Sequence, residues 1–118
     1  MDGNILNLLG RILFGGYFVF MGANHFAKKE MIVAYAKSKR VPSPEIAVMF
    51  SGILLLVGGI GTLISMDQIA ALALVLFLIP VSFKMHAFWA ETDPTMKAGD
   101  MVQFFKNMGL LGSALMLF

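Results

Sequence analysis

Cysteine is absent from the chain, which removes disulfides, thiolate metal ligands and thiol redox chemistry from its repertoire. Charge is scarce. Asp, Glu, Lys and Arg make up 14% of the 118 residues, against about 25% in ordinary soluble domains. With 58% hydrophobic residues and a mean hydropathy of +0.82, so short a chain lacks the polar side chains to cover a folded surface in water. A soluble helical bundle is therefore a poor reading. Histidine is limited to His25 and His86, in different segments and with no HxxxH or HxxE pair. Zinc and iron sites usually show such spacing, so no metal is expected. The net charge of +2 is too small to suggest a nucleic-acid partner. The opening MDGNILNLLGR has Asp2 and no cationic stretch before its apolar run. The first apolar segment is therefore read as a retained span, not a cleaved leader.

What is present is long apolar runs. Residues 46–66 form 21 positions without a charge. A helix of that length covers about 31 Å, enough for a hydrocarbon core of about 30 Å. Ser43, Pro44 and Glu45 mark its start as cap, first helical residue and complement to the helix dipole. Three more spans are expected, at about 4–26, 68–90 and 101–118. Asp67 is read as the cap of the third, and Pro80 within it should free the carbonyl of Leu76. Asp100 and Gln103 resemble a capping box at the start of the fourth. The expected fold is all-α, a single integral membrane four-helix bundle over residues 1–118, and the lipid bilayer is its first partner.

Orientation follows from the cations. Lys28, Lys29, Lys37, Lys39, Arg40, Lys84, Lys97 and Lys106 fall on the loop side or its border, and Arg11 alone lies near the termini. The positive-inside rule makes the loop side cytoplasmic and places both termini outside, in a cell (inner) membrane. Within the first loop, Met31, Ile32 and Tyr35 suggest a short interfacial helix on the anionic leaflet, with a solvated basic loop as the alternative.

Helical spacing assigns faces. Asn4, Leu8, Arg11, Gly15, Phe18, Gly22 and His25 follow steps of 4 and 3 and share one stripe. Ala47, Ser51, Leu54, Gly58, Gly61 and Ser65 form a small-residue stripe on the second span. Gly15, Gly22, Ser51, Gly58 and Gly61 are thus the expected packing positions. Arg11 then lies on an inward stripe close to one end. Either it reaches lipid headgroups, or it is held inside for an anionic or carbonyl ligand. At the other end, Asn24, His25, Glu45, Lys84, His86, Gln103, Lys106 and Asn107 can form a polar mouth made by all four helix ends. His25, Glu45 and His86 have the chemistry of a proton relay, and rim hydrogen bonding is the competing account. Phe14, Phe18, Phe20, Phe77 and Phe83 line either a flat quinone-like pocket or ordinary packing. Trp89 reads as an interfacial aromatic. Carboxylates occur at positions 2, 30, 45, 67, 91, 93 and 100, all at expected ends or loops, which argues against proton-coupled cation export.

The stretch GRILFGGYFVFMGANHF, the basic loop running into VPSPE, the GGIGT of the second span, FLIPVSFKMHAFW and QFFKNMGLLGSAL together resemble the DoxX family of small four-span membrane proteins. The resemblance covers nearly the whole chain. It implies a membrane partner of a quinone-linked redox system, acting as a non-catalytic subunit or assembly partner without an activity of its own. Redox-complex subunits, a quinone and further copies of the chain are the partners it suggests. The alternatives are quinone binding or small-molecule transport through the polar mouth, or docking of a peripheral protein on the basic loop.

Overall fold

Asn4 opens the first helix by accepting the Asn7 N–H on its side-chain oxygen at 2.7 Å, satisfying one of the donors a helix start leaves over. The computed structural model describes residues 4–118. Asp2, on which the reading of a retained first span partly rests, lies outside the described residues. The elements are α1 (Ile5–Ala27), α2 (Lys29–Ser38), α3 (Pro44–Leu63), α4 (Asp67–Met85), a 3-10 turn (Phe88–Ala90) and α5 (Pro94–Leu115). No strand occurs among the described residues. Three helices, α1, α3 and α4 continued to Ala90, are long and apolar enough to cross a membrane.

The fourth expected span differs most from the sequence reading. α5 starts at Pro94, with Asp93 as its cap accepting the Thr95 N–H at 3.0 Å. A capped proline at the first position is a stronger start than Asp100 and Gln103 provide. Asp100 therefore lies inside the helix, buried, and Lys97 and Lys106 join it on a helix of 22 residues. α5 is long enough to span, but this polar first half keeps it outside the set of apolar crossing helices. Two other caps also differ. Asp67 is the first residue of α4, not its cap, and Met66 holds the cap position. Ser43 caps α3 by position only: its backbone is left-handed at φ 45 and its side chain makes no cap bond.

The three-residue link between α3 and α4 closes as a Schellman turn. Met66 N–H donates to Gly61 O at 2.8 Å and Ser65 N–H to Thr62 O at 3.3 Å, with Ser65 at φ 64. That geometry satisfies the last carbonyls of α3 and reverses the chain at once.

α3 lies between α1 and α4 and presents glycine to both. Against α1, a Cβ on Gly59 would stand 2.6 Å from Val19 N and 2.7 Å from Gly15 O, and one on Gly22 would stand 2.8 Å from Leu56 Cγ. Against α4, Gly58 receives Leu74, and a Cβ on Gly61 would meet Ala70 Cβ at 2.9 Å. The expected small-residue stripe of α3 is thus divided. Gly58 and Gly61 serve α4, Ala47, Ser51 and Leu54 line a cavity, and the face toward α1 is Gly52, Leu56, Gly59 and Leu63. The expected α1 stripe is the buried face from Arg11 to Gly22, with Arg11, Gly15, Phe18 and Gly22 inside, His25 half-buried, and Asn4 and Leu8 at its start exposed. Phe18, Leu55, Leu74, Phe77, Leu78 and Ala114 form the apolar centre. Phe104 pins the middle of α5 by edge-on contact with Phe83 and Trp89, each at 5.3 Å between ring centres.

The close approach of α1 and α3 yields a test. Gly59→Ala forces a methyl against backbone atoms and should cost about 1–3 kcal/mol, as overpacking does. Gly16→Ala, where a Cβ meets nothing within 4 Å, should leave stability unchanged or slightly raised. Thermal unfolding of both variants in the same detergent checks the contrast.

Candidate functional site

Arg11 illustrates how the helices bury polar groups. The residue is 7% exposed, and its guanidinium takes Asp67 in a two-pronged pair, Nη1 to Oδ1 at 2.7 Å and Nη2 to Oδ2 at 2.9 Å. Nη1 also donates to Thr62 O at 3.0 Å and Nε to Asn7 Oδ1 at 2.9 Å. Fork-to-fork pairing is the strongest geometry available to an arginine. The sequence offered headgroup contact or a ligand role. The structure places this cation instead in a clamp joining α1 to the α3–α4 link.

A second ionic cluster closes the opposite end. Lys39, which follows α2, donates from Nζ to Asp100 Oδ2 at 2.7 Å and stands 3.8 Å from Glu91 Oε2. His86 Nδ1 lies 3.6 Å from Asp100 Oδ1. Burial works against the Lys39 charge, but the Asp100 hydrogen bond and the acidic neighbours outweigh it and hold its pKa above the usual lysine value. Lys39 therefore stays charged, and it is spent inside the protein. Of the basic loop residues suggested for docking, Lys37 and Arg40 remain exposed and Lys39 does not. The Asp100 carboxylate, read from sequence as a helix end, is a buried partner on α5.

Between these two ends lies a cavity of about 270 Å³. The loop helix expected from Met31, Ile32 and Tyr35 is α2, and it roofs this space with Ile32 and Ala36. Tyr35 and Met31 stay outward. α1 contributes His25, α3 contributes Ala47, Ser51 and Leu54, and α4 contributes Phe77, Pro80 and Lys84. The exposed Phe50, Leu76 and Pro80 form its lipid-facing mouth. Gly52 makes room for His25: a Cβ there would stand 2.9 Å from His25 Cβ.

The polar groups of the cavity are few and distinct. His25 Nδ1 lies 2.9 Å from Met21 O. A carbonyl only accepts, so Nδ1 carries the hydrogen and Nε2 is left to accept, or to donate once the ring is protonated. The Phe77 ring stands edge-on to the imidazole at 6.2 Å. Pro80 has no N–H for the carbonyl of Leu76, which leaves an acceptor at the wall. Ser51 adds a hydroxyl, and Lys84 an exposed ammonium at the rim. Such a volume sits just below the roughly 300–1,000 Å³ of most small-molecule sites. It suits one flat ring whose tail leaves through the mouth into lipid.

The sequence grouped its polar candidates at one mouth, and the structure separates them. His25 and Lys84 meet at the cavity. His86, just past the end of α4, joins Asp100 and Lys39 instead. Gln103 and Lys106 lie further along α5, where Lys106 Nζ donates to Gln103 Oε1 at 2.7 Å and reaches Tyr17 Oη at 3.3 Å. Asn107 is buried on the inner face of α5. Glu45 is exposed on the first turn of α3, and Asn24 uses its carbonyl to accept the Lys28 N–H at the end of α1. Of the five phenylalanines, Phe77 alone lines the cavity, Phe18 is in the core, and Phe20 and Phe83 are exposed. The sequence reading does not foresee the pairing roles of Asp67, Asp100 and Lys39. Asp67 and Asp100 carry a signal, charge beside an apolar run, but each partner lies more than fifty positions away. Among the described residues, no three His, Asp or Glu side chains gather as a metal site would require.

Residues 6–87 match the DoxX family. No curated protein and no solved structure matches the chain.

The Arg11 clamp yields a second test. Asp67→Asn removes the carboxylate charge that the buried guanidinium grips with two bonds and should cost about 3–5 kcal/mol, toward the lower end because the carboxylate is 29% exposed. Arg11→Met combined with Asp67→Leu removes both charges and should recover most of that loss. Unfolding midpoints of the single and double variants decide it.

Proposed function

The chain belongs to the DoxX family, and from that footing we propose that it is a membrane subunit serving a quinone-linked redox partner, with the ring of the quinone seated in the cavity under α2. The observation that carries this reading is the cavity itself: apolar walls, an aromatic edge from Phe77, and a few hydrogen-bonding groups, His25, Ser51 and the Leu76 carbonyl inside and Lys84 at the rim. A quinone needs such a slot, with donors for its two carbonyls and a greasy exit for its tail. A protonated His25 donates to one carbonyl, and in the neutral ring Nε2 accepts from a quinol hydroxyl. The chain's own residues thus bind, orient and exchange a proton at His25 Nε2. The bound quinone supplies the electron chemistry, and the redox centre belongs to the partner.

In this reading the end bearing α2 and the 3-10 turn faces the cytoplasm of a cell inner membrane, because most exposed cations gather there. α5 completes a fourth crossing alongside the three apolar helices. α2 then separates the cavity from cytoplasmic water, and the mouth between α3 and α4 opens to the inner leaflet.

The protein is purified in mild detergent from native membranes, and its quinones and companion subunits are counted. A stoichiometric quinone together with dehydrogenase or oxidase subunits is the expected result. A purified sample should also bind a short-tailed benzoquinone in equilibrium dialysis. Ala47→Trp, which fills the cavity, and His25→Ala should each weaken that binding at least tenfold. A lone oligomer that carries no quinone and does not bind the probe overturns the reading.

A further inference from the structure

Lys106 carries a charge that nothing in its surroundings cancels. Its ammonium contacts only neutral acceptors, Gln103 Oε1 at 2.7 Å and Tyr17 Oη at 3.3 Å, and none of the ion pairs among the described residues includes it. Lys106 falls at the middle of α5 and Tyr17 at the middle of α1, and both are exposed. Tyr17 lies about 15 Å or more from either end of α1 at 1.5 Å per residue. With α5 as a fourth crossing, the ammonium therefore stands well inside both surfaces of the bilayer and faces outward. That is a costly place for a cation, and cations found there pair. The chain does not supply the pair: Asp100, the one acid of α5, is buried and gripped by Lys39.

Beside this cation runs an open groove. α1 packs on α3, and α5 packs on α4 and the 3-10 turn, so the α1–α5 seam is not closed by helix packing. A groove of about 460 Å³ runs from Lys106 and Tyr17 to Gly10. A second of about 280 Å³, which shares Gly10, continues it to Leu6 and Leu117. Its walls keep helical spacing. Leu6, Gly10, Leu13 and Tyr17 step by 4, 3 and 4 along α1, and Lys106, Leu110, Ser113 and Leu117 step by 4, 3 and 4 along α5. The path is about 16 Å long, about three helical turns, and runs from Lys106 toward the α3–α4 link. A Cβ on Gly10 would touch nothing within 4 Å, so the floor is empty. Two stripes of this kind flank the surface on which a third helix packs.

We propose that the α1–α5 seam seats a transmembrane helix of another protein, which carries an Asp or Glu near the middle of its span to pair with Lys106. A second copy of the chain does not fit. Its acids lie at helix ends and in loops, or, for Asp100, in a buried pair, so it has no exposed mid-span carboxylate to offer. A twofold axis along the bilayer normal would also bring both Lys106 charges to one level. The seated helix would belong to the membrane partner already inferred, and its place here rests on that reading and on α5 as a crossing. Quinone binding is independent of it, because the cavity under α2 shares no lining residue with the seam.

The full chain, with photoreactive p-benzoylphenylalanine in place of the exposed Leu13 on the groove wall, is reconstituted into phosphatidylcholine vesicles. A Leu/Ala transmembrane peptide bearing one central Glu is added, and the vesicles are irradiated. The chain should crosslink this peptide about tenfold more than its central-Leu version, the scale of one strong interhelical polar contact in lipid. Lys106→Met should abolish that preference, and Lys106→Glu should transfer it to a central-Lys peptide. Gly10→Leu, which keeps the charge and fills the floor, should lower crosslinking of the Glu peptide, and it tests the groove even if the Lys106 variants do not fold. Equal crosslinking of the Glu and Leu peptides with Lys106 intact overturns the proposal, as does a preference that survives Lys106→Met. Crosslinks that join two copies of the chain and persist in excess Glu peptide also overturn it. Benzoquinone binding by Lys106→Met should match that of the unaltered chain. If both fail to bind benzoquinone while the Glu preference stands, the quinone reading falls and the seam assignment holds.

Discussion

The close approach of α1 and α3 sets the rest of the structure. In lipid there is little hydrophobic gain from bringing two apolar helices together, so association depends on tight packing and on satisfied polar groups. Gly15 and Gly59 let the two backbones come within methyl-excluding distance. That contact brings Arg11, one turn before Gly15, to the end of α3. There the Schellman turn presents the Thr62 carbonyl and, two residues beyond the turn's left-handed Ser65, the Asp67 carboxylate. The pair is affordable in a membrane because the glycines have already fixed its geometry.

The two ends of the molecule solve the same problem with different parts. At the α3–α4 link, one arginine and one aspartate meet through a fixed fork. At the α2 end, Lys39, Asp100, Glu91 and His86 come from the loop after α2, from α5, and from the segment following α4. The second cluster draws α2 inward, where Ala36 packs on Val48 and Met85. Lys39 thereby anchors the roof of the cavity to α5, the helix on the far side of α4. The ionic cluster and the cavity are thus joined through α2, which supplies Ile32 and Ala36 to one and is followed by Lys39 of the other.

Much of this was readable in the residues. The apolar runs announced α1, α3 and α4, and the spacing of Arg11, Gly15, Phe18 and Gly22 identified the buried face of α1. The loop helix was announced by Met31, Ile32 and Tyr35. What escaped depended on contacts between distant positions. The start of α5 was misplaced because Asp100 looks like a cap until Lys39 is known to reach it. α3 was read as having one small face because a single period of 3.6 cannot reveal that a central helix serves two neighbours. The polar mouth was drawn as one site because sequence gives the level of a residue along a helix more readily than its direction around it. His25 stands beside Phe77 at the cavity, and His86 joins the Asp100 cluster past the end of α4.

Direction around the helices also explains why the open spaces lie where they do. The glycines of α3 run from Gly52 to Gly61, and over that stretch α1 and α4 press close. Before Gly52, at Ala47, Val48 and Ser51, the glycine contacts cease and α2 enters from the side. The cavity is therefore the place where tight glycine packing gives way to a helix that cannot fill the gap completely. The seam beside Lys106 arises differently, since no glycine interface joins α5 to α1 and Gly10, Gly109 and Gly112 face no neighbour. Small residues in this chain thus have two consequences. Opposite a backbone they bring helices into contact, and opposite nothing they leave apolar space that a membrane will fill with whatever fits. Which of the two applies is decided by what lies opposite: Gly59 faces the backbone of α1, and Gly10 faces open space.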